Sequence, residues 1–319
     1  MNALPRLVLV AVLALSAASA FAADGGKKNI LLLAGKQSHG PGEHEHNAGM
    51  LLFKKCLDES GLPVTTSAHL SAEWPSAEEL AKADTIVFYS DGGGGHFLLK
   101  DDHLEQVAKE MKRGAGFVCL HYAVEYPADK GGPQALDWMG GFFEANWSVN
   151  PHWMAAFTAL PKHPVSNGVK PFATNDEWYF HMRFAGSEKG RRTDVLSAVA
   201  PDSTMSRKDG AHEGNPTVRE AVAAKKPQTT AWAFERADGG RGFGFTGAHD
   251  HKNWGNENFR KVGLNAILWI AKVPVPPNGV ECVVTAEDIM QNLDPKGQKP
   301  KAANPAKIEP FISPTLPGK

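Results

Sequence analysis

The sequence predicts an α/β fold with a mainly parallel, doubly wound sheet. Short aliphatic runs at residues 29–33, 85–89 and 117–120 are typical of buried parallel strands. Helical patterns lie between these runs, and strands that alternate with helices form a parallel sheet joined by right-handed crossovers. We therefore expect the carboxyl ends of these strands to meet along one edge of the sheet.

Capping patterns and apolar periodicity indicate where the intervening elements begin and end. A polar cap before an apolar stripe predicts a helix start, and a glycine after it predicts the end. The predicted elements are a helix from Asn47 to Gly61, a weak strand at residues 64–67, a helix from a capping box at residues 76–79 to Lys82, and a helix from Asp101 to Gly114.

Residues 131–227 differ from the first part, being rich in glycine, proline, tryptophan and asparagine. Short β-like runs lie at residues 152–158 and 194–200. We interpret this stretch as an elaborated insertion with long loops rather than as a separate domain. After it, residues 229–235 and 241–246 flank a glycine turn and predict a β-hairpin.

The last strong helical pattern covers residues 258–271, and the composition changes after Lys272. Nine of the 22 prolines lie in residues 274–319. We expect one short helix after Thr285 and otherwise an extended or disordered tail. Residues 23–273 would then form the globular domain.

The amino terminus has the pattern of a secretory signal peptide over residues 1–22. Arg6 precedes an apolar stretch at residues 7–15 that is too short to span a bilayer, and residues 20–22 form a small-residue cleavage site. The mature chain is expected to begin at Ala23, without a transmembrane segment. The protein would be exported to the bacterial periplasm or the extracellular space.

Charge and cysteine content exclude two classes of protein. The formal charge is 34 − 35 = −1 for the full chain and 33 − 35 = −2 once Arg6 is removed with the signal. A nearly neutral chain without a basic stripe is not expected to bind nucleic acid. The three cysteines, Cys56, Cys119 and Cys282, are odd in number and widely spaced, so we expect no disulfide framework.

Five polar clusters each follow a predicted strand, where ligands bind in open α/β sheets. The clusters are His39, His44 and His46; Asp91, Gly92–Gly95 and His96; His121 and Glu125; Asp176, Glu177, Trp178 and His181; and His249, Asp250, His251 and Trp254. Imidazole and carboxylate groups together suit zinc, manganese or iron, or acid–base chemistry near neutral pH. A solvated polar loop remains the alternative for each cluster taken alone.

Three features of these clusters have competing interpretations. His249 and His251 would lie on one face of an extended segment, as metal ligation needs, although a solvated turn has the same pattern. The glycine run lacks both nucleotide-binding patterns, so we expect a plain turn beside a ligand and no nucleotide cofactor. Five tryptophans in or beside these loops could stack on sugar rings: Trp138, Trp147, Trp153, Trp178 and Trp254. Core filling is the better explanation for about three of them. His69, His103, His163 and His212 are interpreted as ordinary surface or helix-end residues.

Several motifs occur in a fixed order between residues 29 and 272. They are Gly42-Glu43-His44-Glu45-His46-Asn47, Gly116-Phe117-Val118-Cys119-Leu120-His121, Asn150-Pro151-His152-Trp153, Asp176-Glu177-Trp178-Tyr179 and Gly247-Ala248-His249. This set resembles the trehalose-utilisation, or ThuA-like, family. The resemblance implies a flavodoxin-like three-layer sandwich related to class I glutamine amidotransferases, and a role in the breakdown of disaccharides or 3-keto sugars.

The resemblance also directs attention to the turn after the fourth strand. Amidotransferases carry a nucleophilic cysteine there, whereas this chain has His121 at the turn and Cys119 inside the strand. Cys119 is expected to pack as a small hydrophobic residue. The chemistry would therefore use a metal or a proton carrier rather than a thiol.

The leading hypothesis is an exported, metal-dependent enzyme that acts on a sugar or keto-glycoside with zinc, manganese or iron. The expected metal ligands are His44, His46 and His121, with His249 and His251 as alternates. The expected catalytic residues are His121, Glu125, Glu177 and Glu45. The expected substrate-binding residues are Asp91, Gly93, His96, His152, Trp153, Trp178 and Trp254. Two competing hypotheses are a non-catalytic sugar-binding module and, less favoured, a scaffold built around the tail.

Overall fold

The computed structural model describes residues 26–296, which contain eleven strands and seven helices. The strands are β1 (Lys28–Ala34), β2 (Val64–His69), β3 (Thr85–Tyr89), β4 (Gly116–Leu120), β5 (Gly141–Phe142), β6 (His152–Phe157), β7 (Phe172–Glu177), β8 (Arg183–Phe184), β9 (Gly190–Val199), β10 (Pro227–Arg236) and β11 (Arg241–Phe245). The helices are α1 (His46–Glu59), α2 (Ala77–Lys82), α3 (His103–Arg113), α4 (Gly132–Trp138), α5 (Pro216–Ala223), α6 (Glu257–Ile270) and α7 (Ala286–Met290).

Seven of the strands form one central sheet in the order β2-β1-β3-β4-β11-β10-β9. The neighbours from β2 to β11 pair in parallel, whereas β10 is antiparallel to both β11 and β9. The predicted parallel sheet is confirmed, and so is the hairpin formed by β10 and β11. Four neighbouring strands, β1, β3, β4 and β11, consequently end at the same edge.

Helices cover both faces of the sheet, as expected for a three-layer sandwich. Alternate residues of each strand enter opposite layers: Leu32 and Val87 join the core under α1 and α6, whereas Leu31 and Phe88 join the core under α2, α3 and α4. Both cores consist of fully buried aliphatic and aromatic side chains. Burial on both faces explains why the strands are continuous apolar runs in the sequence.

The stretch between β4 and β10 adds two small antiparallel pairs, β6 with β7 and β5 with β8. Its last strand, β9, pairs with β10 and extends the main sheet. The β6–β7 pair is amphipathic: alternate residues such as Trp153 and Phe157 are buried against the core under α6. This packing holds the end of β7 beside the edge where the parallel strands end.

Local capping chemistry sets several of the helix boundaries. The capping box at Ser76 is confirmed, and Gly114 adopts a left-handed conformation, φ +97°, at the end of α3. The predicted cap at Asn47 is wrong, because α1 begins one residue earlier, at His46. The Asn47 side chain instead donates hydrogen bonds to Ser71 Oγ and Asp294 Oδ1.

A disulfide joins Cys56 in α1 to Cys282, 226 residues later, with the two Cα atoms 5.2 Å apart. The sequence predicted no disulfide framework, and the structure adds this one bond between two of the three cysteines. Spacing rules miss such a bond, because a single pair at this separation has no local pattern. Cys119 is a buried free thiol in β4, as expected, and lies 3.3 Å from the Tyr126 hydroxyl.

The described part of the C-terminal segment, residues 274–296, packs against the domain and contains α7 but otherwise no helix or strand. The short helix expected after Thr285 is confirmed as α7, with Thr285 in a capping box. Asp288 of α7 pairs with Lys55 at 2.6 Å. Residues 297–319, and the signal peptide expected at residues 1–22, lie outside the described residues.

Within residues 26–296, none of the helices combines the length and apolar character that spanning a membrane requires.

Candidate functional site

Four side chains that follow neighbouring parallel strands meet at one edge of the sheet. His44 follows β1, Asp91 follows β3, His121 follows β4 and His249 follows β11. Glu177, the last residue of β7, completes the group from the inserted hairpin. Residues far apart in the sequence are thus placed together by the parallel strand order.

The cluster has short separations between potential ligand atoms. His44 Nε2 lies 3.0 Å from His121 Nε2 and 3.0 Å from His249 Nδ1. Glu177 Oε2 lies 3.1 Å from His249 Nδ1 and 3.6 Å from His121 Nε2. The cluster's four potential ligand atoms, one each from His44, His121, His249 and Glu177, lie within 4.8 Å of one another.

Hydrogen bonds at the far side of two rings fix their tautomers. His121 Nδ1 lies 2.9 Å from the Thr246 carbonyl oxygen, and His44 Nδ1 lies 2.8 Å from Asp91 Oδ1. Because these oxygens accept, each Nδ1 carries the proton and each Nε2 presents a lone pair. Two such lone pairs at 3.0 Å repel each other unless a positive charge lies beside both.

Burial and neighbouring charges separate the protonation states of the three imidazoles. Burial holds the pKa of His44 and of His121 well below the ordinary value. Burial also lowers the pKa of His249, but hydrogen bonds with Glu177 and Glu43 outweigh it and raise that pKa to about 10. Burial therefore favours the neutral form of His44 and His121, whereas the neighbouring carboxylates favour the charged form of His249.

The donor set fits a divalent transition metal. With metal–nitrogen bonds near 2.1 Å, neighbouring ligand atoms are separated by about 3.0 Å in an octahedral site and about 3.4 Å in a tetrahedral site. The four separations in this cluster, 3.0, 3.0, 3.1 and 3.6 Å, fall close to that range. Imidazole and carboxylate ligands suit zinc, manganese and iron.

The backbone holds two of these histidines in a sparsely populated conformation. His44 has φ +47° and His121 has φ +54°, which costs a non-glycine residue about 1–2 kcal/mol. His121 opens a 3₁₀ turn directly after β4, which aims the ring across the strand ends. Asp176 supports the third histidine, because it accepts hydrogen bonds from the backbone N–H groups of Ala248 and His249 at 2.8 and 3.0 Å.

Comparison with known proteins gives the family. The family model described as "ThuA: Trehalose utilisation" matches residues 29–270. The chain belongs to the ThuA family. A crystal structure of a ThuA-like protein from Bacteroides uniformis ATCC 8492 superposes with a TM-score of 0.53 and 14% sequence identity, covering 78% of this chain and 93% of that one. The sequence matches no curated protein significantly. The resemblance and the fold class inferred from the sequence are confirmed.

Three of the expected metal ligands and proton carriers lie outside the cluster of this ThuA-family chain. His46 is fully buried at the start of α1, with its Nδ1 3.1 Å from the Lys36 carbonyl oxygen. His251 directs Nε2 towards the Ile289 carbonyl oxygen at 3.1 Å. Glu45 is buried in an ion pair with Lys296 at 3.3 Å. These contacts use one nitrogen of each histidine and the Glu45 carboxylate, so none of the three contributes to the four-atom ligand group. His46 remains near that group, with its Nε2 3.8 Å from Asp91 Oδ1.

The aromatic residues expected to bind a sugar are mostly in the core. Trp178 and Trp254 are fully buried among phenylalanine rings, and Trp153 donates its indole N–H to the Trp178 carbonyl. His96 is also fully buried, with Nε2 3.0 Å from the Tyr126 hydroxyl. A buried ring offers no face to a sugar, so these four predictions are corrected to core positions.

Other expected site residues do lie around the cluster. The exposed ring of His152 lies 4.8 Å from that of His249. Asp91 orients His44, and exposed His39 stacks on His44 with ring centroids 3.6 Å apart. Gly93 lies against Glu125, which belongs to a neighbouring group rather than to the four ligand atoms.

Two residues that the sequence did not assign to the site contact its side chains: His212 contacts Glu125, and Tyr179 contacts His121. His212, interpreted as an ordinary residue, has Nε2 3.1 Å from both carboxylate oxygens of Glu125. The Tyr179 hydroxyl lies 3.2 Å from His121 Nε2. Tyr179 was within reach of sequence analysis, because it ends the motif Asp176-Glu177-Trp178-Tyr179. His212 has no neighbouring motif that distinguishes it from a surface histidine.

Proposed function

We propose that this protein is a metal-dependent enzyme of carbohydrate breakdown, acting on a disaccharide or a 3-keto-glycoside. The observation that carries the proposal is the pair of Nε2 lone pairs of His44 and His121, held 3.0 Å apart beside His249. Such an arrangement of imidazoles suits a divalent cation. The description of the family, "Trehalose utilisation", supports a carbohydrate substrate.

In this proposal His44 and His121 would hold the ion, and His249 would join them on losing its proton, because metal binding displaces protons from its ligands. A bound ion would polarise a substrate oxygen and make an adjacent proton more acidic. Glu177 carries that proton, because its carboxylate is only 14% exposed and lies beside the imidazoles. The Tyr179 hydroxyl, 3.2 Å from His121 Nε2, stays protonated, since burial raises its pKa well above the ordinary value.

Metal analysis of protein purified without an affinity tag tests the proposal directly. We expect about one zinc, manganese or iron ion per chain and its loss from His121→Ala. His69→Gln is the matched control, because it removes a histidine–carboxylate pair, His69 with Glu79 at 3.1 Å, at the end of edge strand β2. Two results together would contradict a metal-dependent enzyme: wild-type protein that contains no metal, and a sugar affinity that a chelator leaves unchanged. They would favour the non-catalytic sugar-binding module.

The substrate is tested by assaying the metal-loaded protein on disaccharides with and without oxidation to the 3-keto form. Turnover of a 3-keto disaccharide that stops on chelation is the expected result. Proton abstraction beside the carbonyl would allow elimination, hydration or isomerisation, and product analysis distinguishes these. Turnover that survives complete removal of the metal would contradict the assigned chemistry.

We also propose that the protein is exported and acts in the periplasm or outside the cell. Two observations support this proposal: the secretory pattern of residues 1–22 and the Cys56–Cys282 disulfide, a bond typical of oxidising compartments. Protein recovered from the periplasm or medium should begin at Ala23. Recovery in the cytoplasm with an intact amino terminus would contradict export.

A further inference from the structure

A second charged group lies beside the metal cluster and takes no part in it. Both carboxylate oxygens of Glu125 lie 3.1 Å from His212 Nε2. Glu125 is 5% exposed, and a carboxylate so buried needs a charged partner. The hydrogen bond with Glu125 raises the pKa of His212, which favours the charged imidazolium in this pair.

The loop that carries His212 is held in place by its backbone. The Asn150 N–H and the Arg207 guanidinium donate to the His212 carbonyl oxygen at 3.0 and 3.2 Å, and the Asn146 N–H donates to the Ala211 carbonyl at 2.7 Å. Phe143 stacks on the imidazole ring, with centroids 5.3 Å apart. His212 is therefore positioned in advance of any ligand, while its side chain stays 32% exposed.

The glycine turn packs closely against this pair. A Cβ atom on Gly93 would lie 3.0 Å from Glu125 Oε1 and 3.8 Å from the Tyr122 hydroxyl. Gly93 also has φ +59°, a conformation that favours glycine. The absence of a side chain at this position lets the turn lie directly beside the carboxylate and the phenol.

Tyr122 connects this turn with the metal cluster. Its ring centroid lies 6.0 Å from that of His44 and 6.4 Å from that of Tyr179. An ordinary tyrosine phenol, with a pKa of about 10, keeps its proton at neutral pH. The phenol is therefore a hydrogen-bond donor at neutral pH.

We infer that Glu125, His212 and Tyr122, with the glycine turn at Gly93 packed beside them, form a subsite that binds the hydroxyl groups of a second sugar ring. This inference rests on the proposed function and deepens it. A carboxylate accepts from hydroxyl groups, whereas imidazolium and phenol donate to them, so adjacent hydroxyls of one ring can be satisfied together. Hydrogen bonds with charged groups are the stronger kind. The subsite would make the protein prefer disaccharides to monosaccharides.

Calorimetric binding of trehalose and of glucose to the metal-loaded protein tests the subsite. The wild type should bind trehalose more tightly than glucose. Glu125→Gln keeps the side-chain shape but removes the charge, and it should reduce the ratio of the two affinities about 10-fold or more, the usual effect of losing a charged hydrogen bond.

A second variant tests the close approach of Gly93 to Glu125 without changing any charge. Gly93→Ala places a methyl group 3.0 Å from Glu125 Oε1 and should reduce the same ratio. Gly94→Ala is the matched control, since a Cβ atom there meets open space. Metal content, measured for every variant, reports whether the fold is intact.

The outcomes separate this inference from the proposed function. A reduced ratio in Glu125→Gln and Gly93→Ala, with the wild-type ratio in Gly94→Ala, supports the subsite. A wild-type ratio in both test variants, or equal binding of the two sugars by the wild type, overturns the subsite and leaves the metal enzyme standing. A wild type that binds neither sugar nor any oxidised disaccharide overturns the subsite and the carbohydrate assignment together.

Discussion

At the scale of single residues, the oxygen atoms that accept hydrogen bonds from the imidazole Nδ1 atoms determine what the cluster can bind. Asp91 and the Thr246 carbonyl each accept an Nδ1 proton, from His44 and His121 respectively. Such partners orient a metal-binding histidine and increase its basicity. In the proposed metal site, Asp91 would therefore act through His44.

Asp91→Asn tests this role. The amide oxygen can still accept the His44 proton, so the fold is kept, but the negative charge is lost. We expect metal affinity to fall about 10- to 100-fold, measured by competition with a chromogenic chelator. Asp84→Asn is the control, because Asp84 pairs with Lys28 at the opposite end of β1. Unchanged affinity in Asp91→Asn would contradict the role.

Glu177→Gln separates a proton carrier from a ligand. If Glu177 carries the proton, the variant keeps its metal and loses turnover about 100- to 10,000-fold. Metal content and single-turnover rate, measured on the same preparation, give the two readouts. Loss of the metal itself would reassign Glu177 as a fourth ligand.

The buried His96 side chain makes the free energy of unfolding depend on pH. Burial lowers its folded pKa to about 3 from the ordinary 6.5, so between these values the unfolded chain binds a proton that the folded chain does not. Stability from this group is complete above about pH 6.5 and falls by about 1.4 kcal/mol per pH unit as the pH decreases. His96→Leu should be less stable at every pH but have a shallower slope.

Urea unfolding between pH 4.5 and 6.5 measures that slope. Phe88→Leu is the matched control, since Phe88 packs on His96 with ring centroids 5.6 Å apart and does not titrate. It should lower stability without changing the slope. An unchanged slope in His96→Leu would mean that His96 is already protonated in the folded protein over this range.

At the scale of elements, the C-terminal segment clamps the loop that carries His44. Lys296 forms a buried pair with Glu45 and also contacts the Glu43 carbonyl, while the Asp294 N–H donates to Glu45 at 2.7 Å. Loop and segment are therefore joined by charges withdrawn from water. Removing one partner of such a pair destabilises the fold more than removing both.

Lys296→Met should lower the free energy of unfolding by about 3–5 kcal/mol, because Glu45 is left buried without a cation. The double variant Glu45→Gln/Lys296→Met should recover part of this loss. Urea denaturation measures both, with Lys109→Met on the exposed side of α3 as the control. Equal loss in the single and double variants would show that the ion pair is not the cause.

At the scale of the whole molecule, a covalent bond closes the chain around the domain. The Cys56–Cys282 disulfide encloses most of the described residues, and native disulfides contribute about 2–5 kcal/mol to domain stability. A reducing agent should lower the unfolding midpoint of the wild type to that of Cys56→Ala/Cys282→Ala. The same treatment should leave the double variant unchanged, since Cys119 is buried and unpaired.

The sequence predicts those parts of this protein that depend on local chemistry. β3 and the capping box at Ser76 are local, and the strand order makes the approach of His44, His121 and His249 predictable, because parallel strands end at one edge. The Cys56–Cys282 bond and the Lys296–Glu45 pair depend on contacts between distant segments, which have no sequence pattern. The burial of Trp178 and Trp254 also follows only from how the inserted hairpin packs.

The long separation of the disulfide partners determines when the chain can become covalently closed. Cys56 leaves the ribosome well before Cys282, which follows 226 residues later. Cys119, the third thiol, is enclosed in β4 of the folded protein. The native bond can close only when both partners are present, so nearly the whole domain has to be made before the chain is crosslinked.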